Sequence, residues 1–263
     1  MRLVTLTTDF GTEDGYVGEV KGVLLSRCPE ARLVDVTHRI PAGDVEFGAW
    51  VLDRTWERYP AGTVHLVVVD PGVGSERRAI AALTGERWFV GPDNGLLTRV
   101  AGRLPIRELR EITAAGVTAS AVSLTFHGRD LFAPAAAIIA ELDGGESLGP
   151  LLDPTTLVRI DLPLPQRYGD RIEGRVMHVD RFGNLITDVP ADWLPEAPLV
   201  AIRGRRLRGL VRSYAAAQGG RGGPLLAIVG SGGTLEISMA GGSAAALLSA
   251  RRGDRVTVSP PGP

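Results

Sequence analysis

The pattern of apolar residues changes about two-thirds of the way along the chain. Early apolar runs, such as residues 3–7 and 63–69, alternate with segments of helical spacing, such as 16–27. Later runs are short, and Gly, Pro and Asp turns separate them with little room for helices. The first pattern predicts an α/β domain with a mostly parallel sheet, and the second predicts an all-β barrel or sandwich. We therefore predict two domains, residues 1–165 and 166–263.

The composition argues against several classes of protein. The chain has 263 residues and a formal net charge of −1, which predicts no general attraction to nucleic acid or to an acidic membrane. An arginine-rich stretch at 203–212 is more simply a solvated surface than a nucleic-acid patch. The single cysteine, Cys28, can form no disulfide within the chain. No apolar run reaches the roughly 18 residues of a membrane span, and the N-terminus lacks the apolar core of a signal peptide. We predict a cytoplasmic protein without nucleic-acid or membrane partners.

Residues 70–78, DPGVGSERR, directly follow the apolar run HLVVV. Such a run is typical of a buried parallel strand, and the Pro and Gly residues then force a turn. Ligands of open α/β sheets bind where the carboxyl ends of strands meet such turns. Asp70, Arg77 and Arg78 can orient a polar small molecule there. The alternative is that Asp70 only caps the turn and both arginines are solvated.

A second polar motif, TTDFGTEDGY at residues 7–16, places Asp9 at the end of the first predicted strand. Acidic residues in this position can bind ribose hydroxyls. Asp14, on the same loop, is equally well placed to cap the helix that follows. The chain has no GxGxxG motif, so a standard dinucleotide-binding fold is not indicated.

Two more motifs lie in the predicted α/β domain. In FVGPDNGLL, Asp93 and Asn94 precede a glycine, and a plain turn is the favoured interpretation. In FHGRD, His127 lies in a Gly-flanked turn at the entry to a helix. It can orient a water or exchange a proton there, while Arg129 or Asp130 can equally just cap the helix.

The last motif, HVDRFGNLITD at residues 178–188, lies between two predicted β-strands. Asp180, Phe182 and Asn184 offer a carboxylate, an aromatic ring and a carboxamide, which suit a base or a sugar. An Asn side chain can pair with an adenine edge through two hydrogen bonds. A hairpin turn closed by Asx hydrogen bonds explains the same residues, and both interpretations stay open.

Taken together, the motifs resemble one family. TDFGTEDGYVGEVKG, DPGVGSERR, PDNGLL, FHGRDLFAPA, DRFGNLITD and GSGGTLEISMAGGSA occur in this order between residues 7 and 246. This order is similar to that of the S-adenosyl-L-methionine (SAM) hydroxide adenosyltransferases, or SAM hydrolases, which are relatives of the bacterial fluorinase and chlorinase. The resemblance implies an N-terminal α/β domain and a smaller C-terminal β-barrel. It also implies a homotrimer with the ligand bound between subunits.

The resemblance also implies roles for single residues. The catalytic set falls on Asp70, Arg77 and His127. The ligand contacts fall on Asp9 at the ribose, Asp14, Asp180 and Ser231 at the methionine end, and Phe182, Asn184, Tyr214, Met239 and Gly241 at the adenine.

The identity of residue 70 favours water over a halide as the nucleophile. In the related halogenases a tyrosine occupies the position of Asp70, and the fluorinase has a serine after the position of His127. A buried carboxylate repels a halide in a low-dielectric site, whereas it accepts a proton from water. Gly43 is one departure, because the fluorinase has a tryptophan there. We therefore predict hydrolysis of SAM as substrate, at the ribose 5′ carbon, without cofactor or metal. A non-catalytic SAM- or adenosine-binding protein and a halide-dependent adenosyltransferase are the alternatives.

Overall fold

The computed structural model describes residues 2–118, 120–214 and 225–261. The chain forms two compact units, Met1–Asp161 and Leu162–Pro263, and each has a sheet and a hydrophobic core of its own. Within the described residues, no helix combines the length and the apolar character needed to cross a bilayer.

The first unit is built on a six-stranded sheet in the order β2-β1-β3-β5-β4-β6. The strands are β1 Leu3–Thr8, β2 Arg32–Thr37, β3 Val64–Val68, β4 Ala79–Thr84, β5 Arg87–Pro92 and β6 Glu108–Glu111. The pairs β2-β1, β1-β3 and β3-β5 are parallel, while β5-β4 and β4-β6 are antiparallel. The sheet is therefore mixed, with its parallel part around β1 and β3.

Five α-helices accompany this sheet: α1 Tyr16–Arg27, α2 Val45–Thr55, α3 Thr98–Arg103, α4 Ala114–Val117 and α5 Ala133–Leu142. Short turns of 3₁₀-helix cover Trp56–Arg58 and Pro154–Thr156, and a π-helical turn covers Gly128–Phe132 directly before α5. Helices α1 and α5 pack together over the sheet, with Leu24 and Ile139 in the shared core. The α/β prediction for this region is confirmed.

Local sequence explains several boundaries in this unit. Asp44 caps α2 by accepting a hydrogen bond from Phe47 N at 2.9 Å. A tight hairpin joins β4 to β5. Gly85 and Glu86 both have positive φ there, 55° and 60°, which a tight hairpin turn requires.

The second unit is an antiparallel sheet in the order β11-β10-β14-β8-β9-β13-β12, with β7 paired to β8. Its strands are β7 Gln166–Tyr168, β8 Arg171–Val179, β9 Leu185–Pro190, β10 Leu199–Ile202, β11 Arg205–Arg208, β12 Leu225–Val229, β13 Thr234–Met239 and β14 Arg255–Ser259. A 3₁₀ turn, Ala191–Trp193, and a short helix, α6 Ala244–Leu248, complete it. One bridge joins Val211, after β11, to Ile228 of β12, so the sheet is nearly closed. This confirms the predicted barrel.

Candidate active site

Two adjacent strands of the first unit end in carboxylates. β1 and β3 run parallel in a register that pairs Thr8 with Val68, so Asp9 and Asp70 leave the same edge of the sheet. The two side chains lie close enough that the charge of Asp70 helps to raise the pKa of Asp9. Burial is the larger cause of that rise, because it disfavours the charged carboxylate.

Asp70 is paired with Arg77 across a tight loop. Arg77 Nε donates to both Asp70 carboxylate oxygens, at 3.0 and 3.1 Å, and Nη2 donates to Oδ2 at 2.5 Å. The side chains are only 6% and 11% exposed. Paired charges with so little exposure are held in one geometry by these charge-assisted hydrogen bonds.

His127 completes the cluster from a segment 50 residues further along the chain. Arg77 Nη2 lies 2.6 Å from His127 Nδ1. A guanidinium has only donors, so Nδ1 must accept, and we assign the ring proton to Nε2. The pKa of His127 is lowered, first by burial and then by the charge of Arg77, while Asp70 and Asp130 oppose this. The imidazole is therefore neutral near pH 7 and presents a donor at Nε2.

Backbone geometry explains why the two motifs meet. Gly74 has φ of 78°, and a Cβ there would stand 2.4 Å from the carbonyl oxygen of Leu124. Only glycine lets the DPGVG loop approach the segment before His127 so closely. Behind the cluster, the guanidinium of Arg77 lies 5.3 Å from the ring centroid of Phe132, in the π-helical turn. Such turns are frequent at functional sites.

Asp9 is held by the backbone. Gly43 N donates to Asp9 Oδ2 at 2.8 Å, which leaves Oδ1 and the other lone pairs for a ligand. Gly43 has φ of 71°, and a Cβ there would lie 3.4 Å from Pro71 Cβ. A large side chain at this position would therefore be strained, which gives a physical reason for a glycine beside Pro71.

Asp14 is exposed on the loop before α1. The N-cap residue of α1 is Gly15, and no side-chain hydrogen bond caps this helix. The interpretation of Asp14 as the cap is therefore wrong.

The sequence interpretation missed a chain of polar contacts beside Asp9. Thr8 Oγ1 lies 2.8 Å from His38 Nδ1 and accepts a hydrogen bond from Phe10 N at 3.3 Å. His38 Nε2 lies 3.0 Å from Asp35 Oδ1. The Thr8–His38–Asp35 contacts resemble a nucleophilic triad. The Thr8 hydroxyl is buried, however, and accepts a hydrogen bond from the backbone. These contacts therefore hold the loop that carries Asp9. Alternating polar residues in DVTHR were the only signal for these contacts.

In the second unit, the residues 180–184 form an Asx turn between β8 and β9. Asp180 Oδ1 accepts from Phe182 N at 2.9 Å and Asn184 N at 2.8 Å, and Oδ2 accepts from Asn184 Nδ2 at 2.8 Å. The turn interpretation is thus correct for Asp180 and Asn184. The turn leaves the Phe182 ring 77% exposed, an unusual position for a large aromatic side chain.

Tyr214, 46% exposed, donates from its hydroxyl to Glu236 Oε2 at 3.3 Å. Its pKa is raised, chiefly by burial and further by the charges of Glu236 and Asp180. The structure therefore brings Tyr214 and the Asx turn into one neighbourhood.

Strand register separates the remaining predicted residues. β13 pairs Ile237 with Leu185, so Met239 and Gly241 lie at the end of β13 near the Asx turn. Ser231 is exposed in the turn before β13, at the other end of this six-residue strand. At about 3.3 Å per residue, the two ends are roughly 20 Å apart.

Among the residues that the structure describes, no group of three or more His, Cys, Asp and Glu side chains is arranged to hold a metal ion.

The chain thus combines an α/β unit that carries a carboxylate–guanidinium–imidazole cluster with a β-barrel unit. The family model of the SAM hydroxide adenosyltransferase N-terminal domain matches residues 4–149, and the model of the C-terminal domain matches residues 174–257. The chain belongs to the SAM hydroxide adenosyltransferase family, as the motifs predicted.

Individual relatives agree with this assignment. An (R)-S-adenosyl-L-methionine hydrolase from Salinispora tropica is 41% identical over 257 residues, which are 97% of this chain and 97% of that protein. A fluorinase from Actinoplanes sp. is 29% identical over 220 residues, 74% of each chain. The crystal structure of an uncharacterized conserved protein from Thermotoga maritima has a TM-score of 0.89 at 32% identity and covers 97% of this chain and 99% of that one.

Proposed function

We propose that this protein hydrolyses S-adenosyl-L-methionine to adenosine and L-methionine, by attack of water on the ribose 5′ carbon. The observation that carries the proposal is the buried Asp70–Arg77–His127 cluster at the carboxyl edge of the sheet. The 41% identity to a relative named as an (R)-S-adenosyl-L-methionine hydrolase supports the same substrate and reaction.

The cluster is suited to orienting a water more than to deprotonating it fully. Arg77 already donates to both oxygens of Asp70, and lone pairs remain on these oxygens to accept a water O–H. His127 presents Nε2–H as a second anchor. A sulfonium leaves as a neutral thioether and needs no acid, so orientation and desolvation are the main contributions to the rate.

The charges of the first unit favour a sulfonium substrate and disfavour a halide. Asp70 and Arg77 cancel and neutral His127 adds nothing, so any net negative charge at this edge comes from Asp9, whose pKa is raised by burial and by the charge of Asp70. The discrimination therefore comes from the Asp9–Asp70–Arg77 set and not from Asp70 alone. Asp9 would accept hydrogen bonds from the ribose hydroxyls while Gly43 N holds its other oxygen.

The second unit supplies the proposed contacts to the two ends of the substrate. Phe182 and Tyr214 would stack on adenine, and Asn184 keeps Oδ1 and its second Nδ2 hydrogen for the base edge. Met239 and Gly241 would contribute backbone groups at the same end of β13. By the family resemblance, Ser231, Asp180 and Asp14 would contact the methionine end, although Asp180 lies in the Asx turn and Ser231 lies at the opposite end of β13.

The decisive experiment is incubation of the purified protein with SAM in H₂¹⁸O, followed by chromatography and mass spectrometry. We expect adenosine and methionine in equal amounts, with ¹⁸O in the adenosine 5′ hydroxyl. Binding of SAM without products would support the non-catalytic alternative. Halogenated adenosine after addition of chloride or fluoride would support the halide-dependent one. Turnover in EDTA would match the prediction that no metal or other cofactor is required.

A homotrimer with sites shared between subunits belongs to the same proposal. Its support is the family resemblance and the division of the proposed residues between two compact units. Light scattering would give the oligomeric state. At SAM concentrations well below the KM of Phe182→Ala, where each variant alone turns over slowly, refolding Asp70→Asn together with Phe182→Ala should regain activity if subunits share sites, whereas no regain would contradict the sharing. Cytoplasmic location and lack of a nucleic-acid partner stay predictions.

A further inference from the structure

The turn after β5, residues 92–95, contacts both ends of the loop that carries Asp70 and Arg77. At the first end, Asn94 Nδ2 donates to the carbonyl oxygen of Val69 at 2.9 Å. At the second end, Asp93 N donates to the carbonyl oxygen of Arg78 at 3.0 Å. The neighbours of both candidate catalytic side chains are thus bonded to two consecutive residues of one turn.

A buried ion pair strengthens the second contact. Arg78 Nε donates to Asp93 Oδ2 at 2.9 Å, and the Asp93 side chain is only 1% exposed. Asp93 Oδ1 accepts from Val158 N at 2.9 Å, and Arg78 Nη1 donates to Thr156 Oγ1 at 3.0 Å. Loss of Arg78 would leave the desolvated Asp93 carboxylate without its partner charge, whereas the Arg78 side chain is itself 29% exposed. Arg78 is therefore held by Asp93 and does not join the Asp70–Arg77 pair.

We propose that Asn94, Asp93 and Arg78 are positioning residues for the Asp70–Arg77–His127 cluster. They act through the backbone on either side of the loop and do not touch the substrate. The inference rests on the proposed hydrolysis, since an oriented water is what the positioning serves. A misplacement of about 1 Å in a reacting group can cost roughly a hundredfold in rate, whereas substrate binding through other residues is retained.

The matched pair of variants is Asn94→Ala and Thr84→Ala. Each removes a part-buried side-chain hydrogen bond to a backbone carbonyl of the first unit, since Thr84 Oγ1 donates to Pro105 O at 2.8 Å at the far end of β4. Asn94→Ala also removes the longer bond, 3.4 Å, that Asn94 Oδ1 accepts from Leu96 N. We expect Asn94→Ala to lower kcat by about ten- to a hundredfold while KM for SAM changes less than about threefold. Thr84→Ala should leave kcat within about threefold of the unchanged protein. Equal losses in both variants, or an unchanged kcat in Asn94→Ala, would overturn the proposal.

A second readout does not depend on turnover. ¹⁵N NMR of the imidazoles, with His127 assigned from a His127→Gln variant, reports which ring nitrogen carries the proton. We expect the Nε2–H form of His127 in the unchanged protein and in Thr84→Ala, and a mixture of tautomers in Asn94→Ala. An undisturbed His127 signal in Asn94→Ala would contradict the positioning role. Absence of SAM cleavage by the unchanged protein would instead refute the proposed function.

Arg78→Lys provides the same test if Asn94→Ala does not fold. It keeps the positive charge beside Asp93 but loses the planar fork that also reaches Thr156. We expect a fall in kcat of about tenfold with SAM affinity retained. A fall confined to affinity would count against the proposal.

Discussion

The two units hold their proposed functional residues in opposite ways. In the first unit, Asp70, Arg77 and His127 are buried charged or polar groups whose positions are set by each other and by backbone contacts. In the second unit, Phe182 and Tyr214 are substantially exposed aromatic residues on turns. Fixed geometry is what a reaction step requires, and exposed ring faces are what stacking on a base requires. Variants of the first unit should therefore change kcat, and variants of the second should change affinity.

The strongest test of this contrast is Asp70→Asn. The amide keeps the size of the side chain and can still accept from Arg77, but it loses the negative charge that orients the water. We expect kcat to fall by roughly 10²–10⁴-fold, the range of a positioned acid or base group, with SAM affinity by calorimetry nearly unchanged. Asp53→Asn is the control, because Asp53 is also paired with an arginine, Arg103, at 2.7 Å, away from the cluster. Undiminished turnover in Asp70→Asn would remove Asp70 from the mechanism.

Asp9→Ala is a variant of the first unit that should change affinity. Asp9 lies at the same edge of the sheet as Asp70, but its proposed role is to bind the ribose hydroxyls. Each lost hydrogen bond to a charged group is worth about 1.5–3 kcal/mol, so SAM affinity should fall at least about tenfold. Titration calorimetry with SAM and with adenosine measures this. Equal affinities for the variant and the unchanged protein would refute the assignment.

Phe182→Ala tests the second unit. Stacking on a base contributes about 1–3 kcal/mol, so KM for SAM should rise by roughly five- to a hundredfold while kcat at saturation is retained. Tyr168→Ala removes another exposed aromatic side chain from the same unit and should change neither quantity. A loss of kcat alone in Phe182→Ala would break the contrast between the units.

The smallest expected effect is the pH dependence of stability from His127. Its pKa lies below the ordinary value of 6.5, because burial and Arg77 disfavour the protonated ring. The unfolded chain therefore binds a proton at His127 more readily than the folded chain does. The stability contributed by the neutral His127 ring is present above pH 6.5, and it is lost as the pH falls from 6.5 through the folded-state pKa of His127. Denaturant unfolding of the protein and of His127→Gln between pH 8 and pH 5 measures it, and equal slopes would contradict it. kcat should fall in the same acidic range.

Much of the fold could be predicted because its signals are local. The run HLVVV followed by DPGVG indicated a buried strand and a turn. The order of the motifs identified the family. The partner of Arg77 could not be inferred from the residues alone, because His127 is 50 residues away and only the approach of Gly74 to Leu124 brings the two segments together.

Neighbouring residues show where local inference ends. PDNG was interpreted as a plain turn, yet its side chains bond both ends of the Asp70 loop. Asp14 was interpreted as a possible helix cap, yet Gly15 occupies that position without a side-chain bond. A short motif specifies a turn, but the direction of each side chain depends on which distant backbone lies beside it.

The sequence by itself therefore determined the strands, the turns, the two kinds of unit and the family, since these follow from residue types and spacing along the chain. Only the tertiary structure decided that Arg77 faces Asp70 and His127 while Arg78 faces Asp93. The two arginines are adjacent and chemically identical. Their roles differ because buried charges need partners, and the packing of separate segments supplies a different partner to each.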